Sequence, residues 1–384
     1  MLDFTQAYLN AQLQEDVWLE LPDDTVVKAR KAIYSLKQSA LRWFQKLRKT
    51  TLYKRWSSSN YDECVYYRRN EDGRFAILIT YVYGTLFTGN DDNEMKCMYK
   101  HEERDLGGRD KLLGVRIAVG EGNITLDQRS YAEDIVVEGV TLTDVRRANL
   151  PLDSGMDHSA REEFEEELNT SRFPYATILG KQMFLAGMTR SDLSYGVREL
   201  GRQAASPCLR HWRGLQHAFR YLAATLDVCL RYGKGVDNDN QKALLGHADS
   251  DRGNDPDLRR GVTGYLLLFT KSPIIWRLKM QGSIALSSSE AEWTAMVQGM
   301  RHCQYIRGIL GEMGLSDGAP PWFCDNRGAI QAASITGFNA RTKHVDMKLK
   351  CSRQYIEQQL FDFQYVPTTK QLADVFTKRL RAPS

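Results

Sequence analysis

The feature that most constrains the fold is segment 284–295, where an apolar run ends in three serines and a helix begins. Beyond it, apolar residues recur at the three- and four-residue spacing of an amphipathic helix. Ser287 with Glu290, and Ser289 with Glu292, each fit a capping box. Glu292 therefore falls in the first turn, where outward-pointing amide N–H groups favour negative charge. Capping alone explains this glutamate. A metal-binding role requires aspartates at strand ends that meet the helix.

Three aspartates occupy such positions elsewhere in the chain. The segment 242–248 is predicted to be a strand ending at Asp249, and a short apolar run ends at Asp325. A later segment alternates apolar and polar residues like a half-buried strand, and the short helix 371–379 after it carries Asp374. Further strands are predicted over 264–270 and 274–276, before the helix that contains Glu292. Adjacent strand ends would bring Asp249 and Asp325 together.

The predicted order is three strands, helix, strand, helix, strand, helix, the second helix covering 341–359. This order and its acidic positions resemble the ribonuclease H fold. Four local motifs resemble the RNase H of Ty1/copia-type retrotransposon Pol polyproteins: Ala285-Leu-Ser-Ser-Ser-Glu-Ala-Glu-Trp, Phe323-Cys-Asp-Asn-Arg-Gly-Ala-Ile, Ala340-Arg-Thr-Lys-His-Val-Asp and Gln371-Leu-Ala-Asp-Val-Phe-Thr-Lys.

The resemblance implies that Asp249, Glu292, Asp325 and Asp374 are catalytic and hold two Mg²⁺ ions. Carboxylates are the ligand type that Mg²⁺ prefers, and a pair of ions suits phosphodiester hydrolysis. Asp346 competes for the fourth position. We favour Asp374 because the alternating strand leads directly to it.

Motifs near the start of the chain resemble the reverse transcriptase of the same family. Asp3-Phe-Thr-Gln-Ala-Tyr-Leu-Asn is similar to its first catalytic segment, and Asp3 falls on the metal-binding aspartate. The segment 32–44 is similar to the next one, where Gln38 would line the nucleotide pocket. Without the resemblance, Asp3 would be a solvated terminal residue and Gln38 a surface residue of a basic helix.

The family's reverse transcriptase carries Tyr-Val-Asp-Asp at a hairpin tip, and positions 81–84 here read Tyr-Val-Tyr-Gly. Nucleotide addition needs two Mg²⁺ ions, roughly 3.5–4 Å apart, held by carboxylates. A phenol with a pKa of about 10 is not ionised at neutral pH, and glycine has no side chain. Asp91 and Asp92 lie about seven residues further along, roughly 20 Å from the tip. We therefore expect the polymerase part to be inactive.

The length of 384 residues allows two or three domains. We expect a truncated palm with partial fingers over 1–148, a helical thumb or connection over 149–240, and an RNase H-like domain over 241–384. The fold class is α/β: an α+β palm with a strand hairpin, a helical connection, and a mixed sheet with flanking helices. The acidic stretch 157–170 is predicted to be a solvated loop or short helix. By resemblance, we expect the chain to be the C-terminal piece of a longer polyprotein or a gene model that starts inside a decayed element.

A basic, aromatic helix over 211–222 makes Arg213 and Arg220 candidates for phosphate contacts. Core packing is the alternative and explains the aromatic positions Trp212 and Phe219 better. The net charge of +4 permits nucleic-acid binding. The expected partners are an RNA/DNA hybrid or other nucleic acid, and other parts of the retroelement polyprotein.

Seven cysteines occur singly, without a Cys-x-x-Cys pair. This pattern argues against a zinc site or a disulfide framework and indicates a reducing compartment. No signal peptide and no 18-residue apolar run is present, so no membrane association is expected. We expect the chain in the cytoplasm, in a virus-like particle, or in the nucleus. The alternative to an active RNase H is a non-catalytic nucleic-acid-binding remnant or pseudogene product.

Overall fold

The computed structural model describes residues 2–4, 6–82, 84–91, 104–105, 111–140, 147–153, 155–233, 244–251, 260–285, 287–315, 318–334, 354–355 and 357–379. The chain forms two compact units. Unit 1 comprises Met1–Leu112 and Gly308–Leu315, and unit 2 comprises Leu113–Arg307 and Ser316–Ser384. The domain boundaries that the sequence predicts after residues 148 and 240 stay a prediction.

Unit 1 is built mainly from antiparallel strands. Its elements are β1 (Leu2–Asp3), β2 (Gln12–Glu20), β3 (Val26–Lys31), α1 (Ser39–Tyr53), β4 (Ser57–Ser58), β5 (Val65–Arg69), β6 (Phe75–Tyr81), β7 (Gly84–Gly89), β8 (Arg104–Asp105) and β9 (Lys111–Leu112). A six-stranded sheet has the order β4-β5-β6-β7-β1-β8, and β2 pairs with β3 in a separate ribbon.

Alternating side chains give the β6–β7 hairpin one buried face, as its period of two requires. Leu78 and Phe87 from this hairpin pack with Trp56 and Tyr66 in one core cluster. Helix α1 buries Trp43 in a second cluster. The predicted hairpin is therefore present in unit 1, supported by apolar packing on one side.

Unit 2 contains a helical part and a mixed sheet. Its elements are β10 (Val115–Gly120), β11 (Asn123–Asp127), α2 (Arg129–Val140), α3 (Tyr175–Met188), α4 (Ser194–Gly201), α5 (Leu209–Ala224), β12 (Leu230–Gly233), β13 (Leu244–Asp251), β14 (Val262–Phe269), β15 (Ser272–Met280), α6 (beginning at Ser288 and ending at Glu312), β16 (Pro321–Cys324), α7 (Arg327–Ser334), β17 (Asp362–Tyr365) and α8 (Asp374–Thr377).

The helical part packs around one apolar core that includes Trp212 and Phe219 of α5. Core packing therefore accounts for these aromatic residues.

The stretch 157–170 is less solvent-exposed than the sequence predicted, because His158 and Leu168 in it are buried. Within the described part of the chain, no helix has the length and apolar character needed to cross a membrane.

The mixed sheet positions the acidic residues and has the order β15-β14-β13-β16-β17. Strands β13, β14 and β15 are antiparallel neighbours, whereas β16 and β17 join in parallel. The α/β fold class is confirmed. Strand β15 has nine residues instead of the expected three, because it pairs with β14 along its whole length.

Two predicted helices of this domain compare differently with the structure. The helix 371–379 was predicted too long: α8 covers only Asp374–Thr377, because Gln371 and Ala373 form hydrogen-bonded turns before it. The predicted helix 341–359 lies mostly outside the described residues.

Candidate metal centre

Asp249 lies near the end of β13 and is 2% exposed. Its backbone partner on β14 is Gly264. A Cβ atom at Gly264 would lie 2.9 Å from side-chain carbons of Phe376 and Thr377. The missing side chain therefore lets α8 pack directly on the sheet, next to Asp249.

Asp325 and Asp374 approach Asp249 from two further elements. Asp325 directly follows β16, which runs parallel to β13, so both strands bring their carboxyl ends to the same edge of the sheet. Asp374 is the first residue of α8. One carboxylate oxygen from each of the three aspartates lies within 4.8 Å of the others. Asp346, the alternative fourth ligand, lies outside the described residues.

Glu292 reaches the same region from the first turns of α6. The start of the helix is capped, because the Ser287 hydroxyl accepts the Glu290 N–H at 3.1 Å. Glu292 is 7% exposed, and its Oε2 atom has no hydrogen-bond partner among the described residues. A Glu292 oxygen and an Asp325 oxygen lie within 4.8 Å of each other. Asp325 therefore links Glu292 to the other two aspartates.

Burial and mutual repulsion disfavour negative charge in this cluster. Burial, reinforced by Asp249 and Asp325, raises the pKa of Glu292 to about 9. Burial also raises the pKa of Asp249 to about 6, although the Thr377 hydrogen bond and Lys378 oppose that rise. Four carboxyl groups held this closely repel one another when ionised. A cation placed between them would relieve both the repulsion and the desolvation of their charges.

Side chains around the carboxylates fix their orientation. The Thr377 hydroxyl donates a hydrogen bond to Asp249, and the Thr368 hydroxyl donates one to Asp325 at 2.7 Å. Lys378 Nζ lies 2.8 Å from Asp374 Oδ1 and 3.8 Å from Asp249 Oδ2.

Sequence reasoning missed these three supporting residues. Thr377 and Lys378 stand three and four residues after Asp374, on the same helical face, and this spacing was the available signal. Nothing in the local sequence indicates that Thr368 would contact Asp325.

A second hydrogen-bonded group attaches the turn before α8 to β13. The Gln371 side chain pairs with His247 Nδ1 at 2.9 Å and donates to the Ala248 carbonyl at 2.9 Å. The His247 ring stacks on Phe323 with the ring centroids 4.8 Å apart. These contacts keep Asp374 beside Asp249 without placing another charge in the cluster.

The polymerase candidates lie in unit 1. The backbone register pairs Asp3 with Gly84, and Gln38 immediately precedes α1. Trp43 Nε1 of α1 donates to the Val82 carbonyl at the hairpin tip at 2.6 Å. Asp91 is buried beyond the far end of β7, where it accepts a hydrogen bond from Asn70. Tyr83 and Asp92 are outside the described residues.

The two arginines predicted to contact phosphates lie on α5. Arg213 is exposed and Arg220 is half-buried. Both remain predictions as nucleic-acid contacts.

Comparison with known proteins gives the family. Residues 1–154 match the family model described as "Reverse transcriptase (RNA-dependent DNA polymerase)". The chain is 28% identical over 395 residues to the "Retrovirus-related Pol polyprotein from transposon TNT 1-94" of Nicotiana tabacum, covering 98% of this chain and 29% of that protein. It is 30% identical over 402 residues to the corresponding polyprotein of transposon RE2 from Arabidopsis thaliana, covering 99% and 26%. The chain thus spans less than a third of these relatives.

A solved structure has a similar fold. The foamy viral protease-reverse transcriptase, determined in complex with an RNA/DNA hybrid, matches with a TM-score of 0.51 at 12% identity, covering 100% of this chain and 45% of that one. This likeness concerns the fold alone; the sequence relatives and the motifs assign the chain to the Ty1/copia-type retrotransposon Pol polyproteins.

Proposed function

We propose that unit 2 hydrolyses the RNA strand of RNA/DNA hybrids at Asp249, Glu292, Asp325 and Asp374, and that unit 1 does not add nucleotides. One observation supports the proposed hydrolysis by unit 2. Oxygens of three aspartates from separate elements converge within 4.8 Å, beside a buried glutamate oxygen that has no partner among the described residues. Such an arrangement costs stability unless a cation occupies it.

The donor set fits Mg²⁺. All four groups are carboxylates, which are hard oxygen ligands, and two of them are exposed enough to leave room for water. We propose that these four residues hold two Mg²⁺ ions. Mg²⁺ held by these residues would supply an activated water and would stabilise the departing oxygen.

The residues of the chain orient the reacting groups. Thr377 and Thr368 hold the carboxylates of Asp249 and Asp325 in fixed positions, so little reorganisation is needed during reaction. Water oxygen bonds to phosphorus while the bond to the 3′ oxygen breaks, which leaves a 5′-phosphate and a 3′-hydroxyl. Preference for RNA would rest on contacts to 2′-hydroxyl groups in the shallow minor groove.

The hairpin tip lacks the carboxylates that would hold Mg²⁺ for nucleotide addition, so we propose that the polymerase part is inactive. The described tip residues Tyr81, Val82 and Gly84 carry no carboxylate, and position 83 is a tyrosine. The backbone pairing of Asp3 with Gly84 places Asp3 beside the hairpin tip, which supports its assignment as the first metal-binding aspartate of the polymerase motif. One aspartate cannot hold two Mg²⁺ ions. As part of a Pol polyprotein, the chain would also associate with other parts of that polyprotein.

The test is cleavage of a labelled RNA/DNA hybrid by the full chain in Mg²⁺. We expect cleavage of the RNA strand that EDTA and Asp325→Asn abolish. The matched control Asp362→Asn removes an exposed carboxylate of the neighbouring strand and retains cleavage. Wild-type cleavage no greater than that of Asp325→Asn would contradict the proposal. Hybrid binding without cleavage would instead favour the non-catalytic remnant.

Primer extension tests the polymerase part separately. We expect no extension by the wild-type chain. Extension that Asp3→Asn abolishes would contradict this half of the proposal.

A further inference from the structure

Unit 2 contains a polar cavity of about 240 Å³ between its helical part and the edge of the mixed sheet. At roughly 30 Å³ per water molecule, this volume would hold about eight waters. Three arginines line it: Arg198 of α4, Arg202 directly after α4 and Arg379 after α8. His158 and Tyr195 also line the cavity.

Buried polar atoms in the cavity wall have no partner among the described residues. His158 is 3% exposed, and neither of its ring nitrogens has a hydrogen-bond partner there. Arg198 donates through Nη1 to Glu199, but its buried Nη2 has no partner in the described part of the chain. A buried donor without an acceptor costs roughly 1–3 kcal/mol, so the cavity is built to receive one.

Three carboxylates, from Asp157, Glu199 and Asp251, also line the cavity. Arg210 binds Asp157 at 3.0 Å, and Arg198 and Arg202 share the single carboxylate of Glu199, so that two guanidinium charges meet one negative charge there. Burial, with a contribution from Arg379, lowers the pKa of His158 to about 4. The imidazole is therefore neutral at pH 7 and offers one N–H donor.

Guanidinium forks match the oxygens of a phosphate group, which can accept from several N–H donors at once. Water would satisfy the buried donors only singly and would not balance the second of the two guanidinium charges that share Glu199. The cavity also lies near the metal centre, because Asp251 in its wall is two residues beyond Asp249 on β13. Two strand residues span roughly 6.6 Å.

We propose that this cavity is a phosphate-binding site, formed by Arg198, Arg202, Arg379 and His158, that takes a phosphate monoester group or free phosphate. A terminal phosphate suits its limited volume better than a duplex backbone. If the ligand is a terminal phosphate, the proposal rests on the proposed function, because RNA hydrolysis at the metal centre would generate 5′-phosphate ends. The free-phosphate form does not depend on it.

Calorimetric titration of the full chain with inorganic phosphate in EDTA tests the site without metal or cleavage. We expect saturable binding that weakens at least fivefold in Arg379→Gln and in Arg198→Gln. Arg379 is exposed, so its replacement leaves the core unchanged. The matched control Arg129→Gln removes an exposed, ion-paired arginine elsewhere in unit 2 and retains wild-type affinity. No saturable binding by the wild type, or equal affinity in Arg379→Gln, would overturn the proposal.

A second arm identifies the source of the phosphate. Short single-stranded RNAs with a 5′-phosphate or a 5′-hydroxyl are compared in the same EDTA buffer. Tighter binding of the phosphorylated strand by the wild type, lost in Arg379→Gln, supports a strand end as the ligand. Equal binding of both strands, with phosphate still bound, supports free phosphate. Since no metal is present, a failure here is independent of whether the carboxylates cleave RNA.

Discussion

Replacing Glu292 by glutamine should stabilise the metal-free protein, which is unusual for a buried residue. The folded chain raises the pKa of this carboxyl group from 4.5 to about 9. At pH 7 the unfolded chain ionises the group, whereas the folded chain keeps it protonated. The difference of 2.5 pH units between pH 7 and the unfolded pKa corresponds to about 3 kcal/mol lost from the free energy of unfolding. Glutamine cannot ionise in either state and removes this loss.

The sign of the pH dependence is fixed by the raised pKa. The contribution of Glu292 to stability is fully present below pH 4.5 and declines as the pH rises towards 9. The buried Oε2 position, which has no hydrogen-bond partner among the described residues, also receives the new amide group, and a donor left unpaired there offsets part of the gain. We therefore expect a net gain of about 1–3 kcal/mol at pH 7, and a smaller gain at pH 5.

Urea unfolding in EDTA at pH 5 and pH 7 measures both quantities. The matched control Glu290→Gln makes the same chemical change two residues away, outside the carboxylate cluster, and should not stabilise the protein. Adding Mg²⁺ should stabilise the wild type and have less effect on Glu292→Gln. If Glu292→Gln is less stable than the wild type at pH 7 in EDTA, the argument from buried, repelling carboxylates is wrong.

Three further outcomes follow from the contacts of unit 2. Thr377→Val removes the hydrogen bond to Asp249 and should weaken Mg²⁺ binding about tenfold in a calorimetric titration, while Thr368→Ser, which keeps a hydroxyl, should not. Gly264→Ala places a Cβ atom 2.9 Å from α8, so we expect a loss of about 1–3 kcal/mol in urea unfolding and weaker Mg²⁺ binding. The lowered pKa of His158 means that the contribution of this residue to stability falls as the pH decreases from 6.5 to about 4, by up to about 3 kcal/mol. This change is opposite in sign to that of Glu292, so His158→Gln should lose less stability than the wild type over this pH range in urea unfolding.

Local sequence patterns predicted the elements that carry the carboxylates. Strand β13 carries Asp249 near its end, although it continues to Asp251 beyond the predicted end, and Asp325 follows β16. These strands and the capped helix start before Glu292 depend on residues that are neighbours in the sequence. Parallel pairing of β13 and β16 then brings two of these groups to one edge of the sheet. This much follows from periodicity, capping and the resemblance to one family.

Long-range contacts could not be read from the same patterns. Thr368 and Asp325 are far apart in the chain, and only the completed fold joins them. The burial of His158 depends on packing by α5 rather than on its polar neighbours in the sequence. The helix carrying Asp374 is short because hydrogen-bonded turns before it are fixed by β13, which its own sequence does not specify.

Anomalous diffraction from crystals soaked in Mn²⁺ tests the central claim most directly, because it locates divalent ions independently of catalysis. The account predicts peaks in direct contact with oxygens of Asp249 and Asp325, with Glu292 and Asp374 on either side, and no such peaks in Asp325→Asn crystals. Ions bound only elsewhere on the chain, with these four carboxylates left without metal at saturating Mn²⁺, would contradict it.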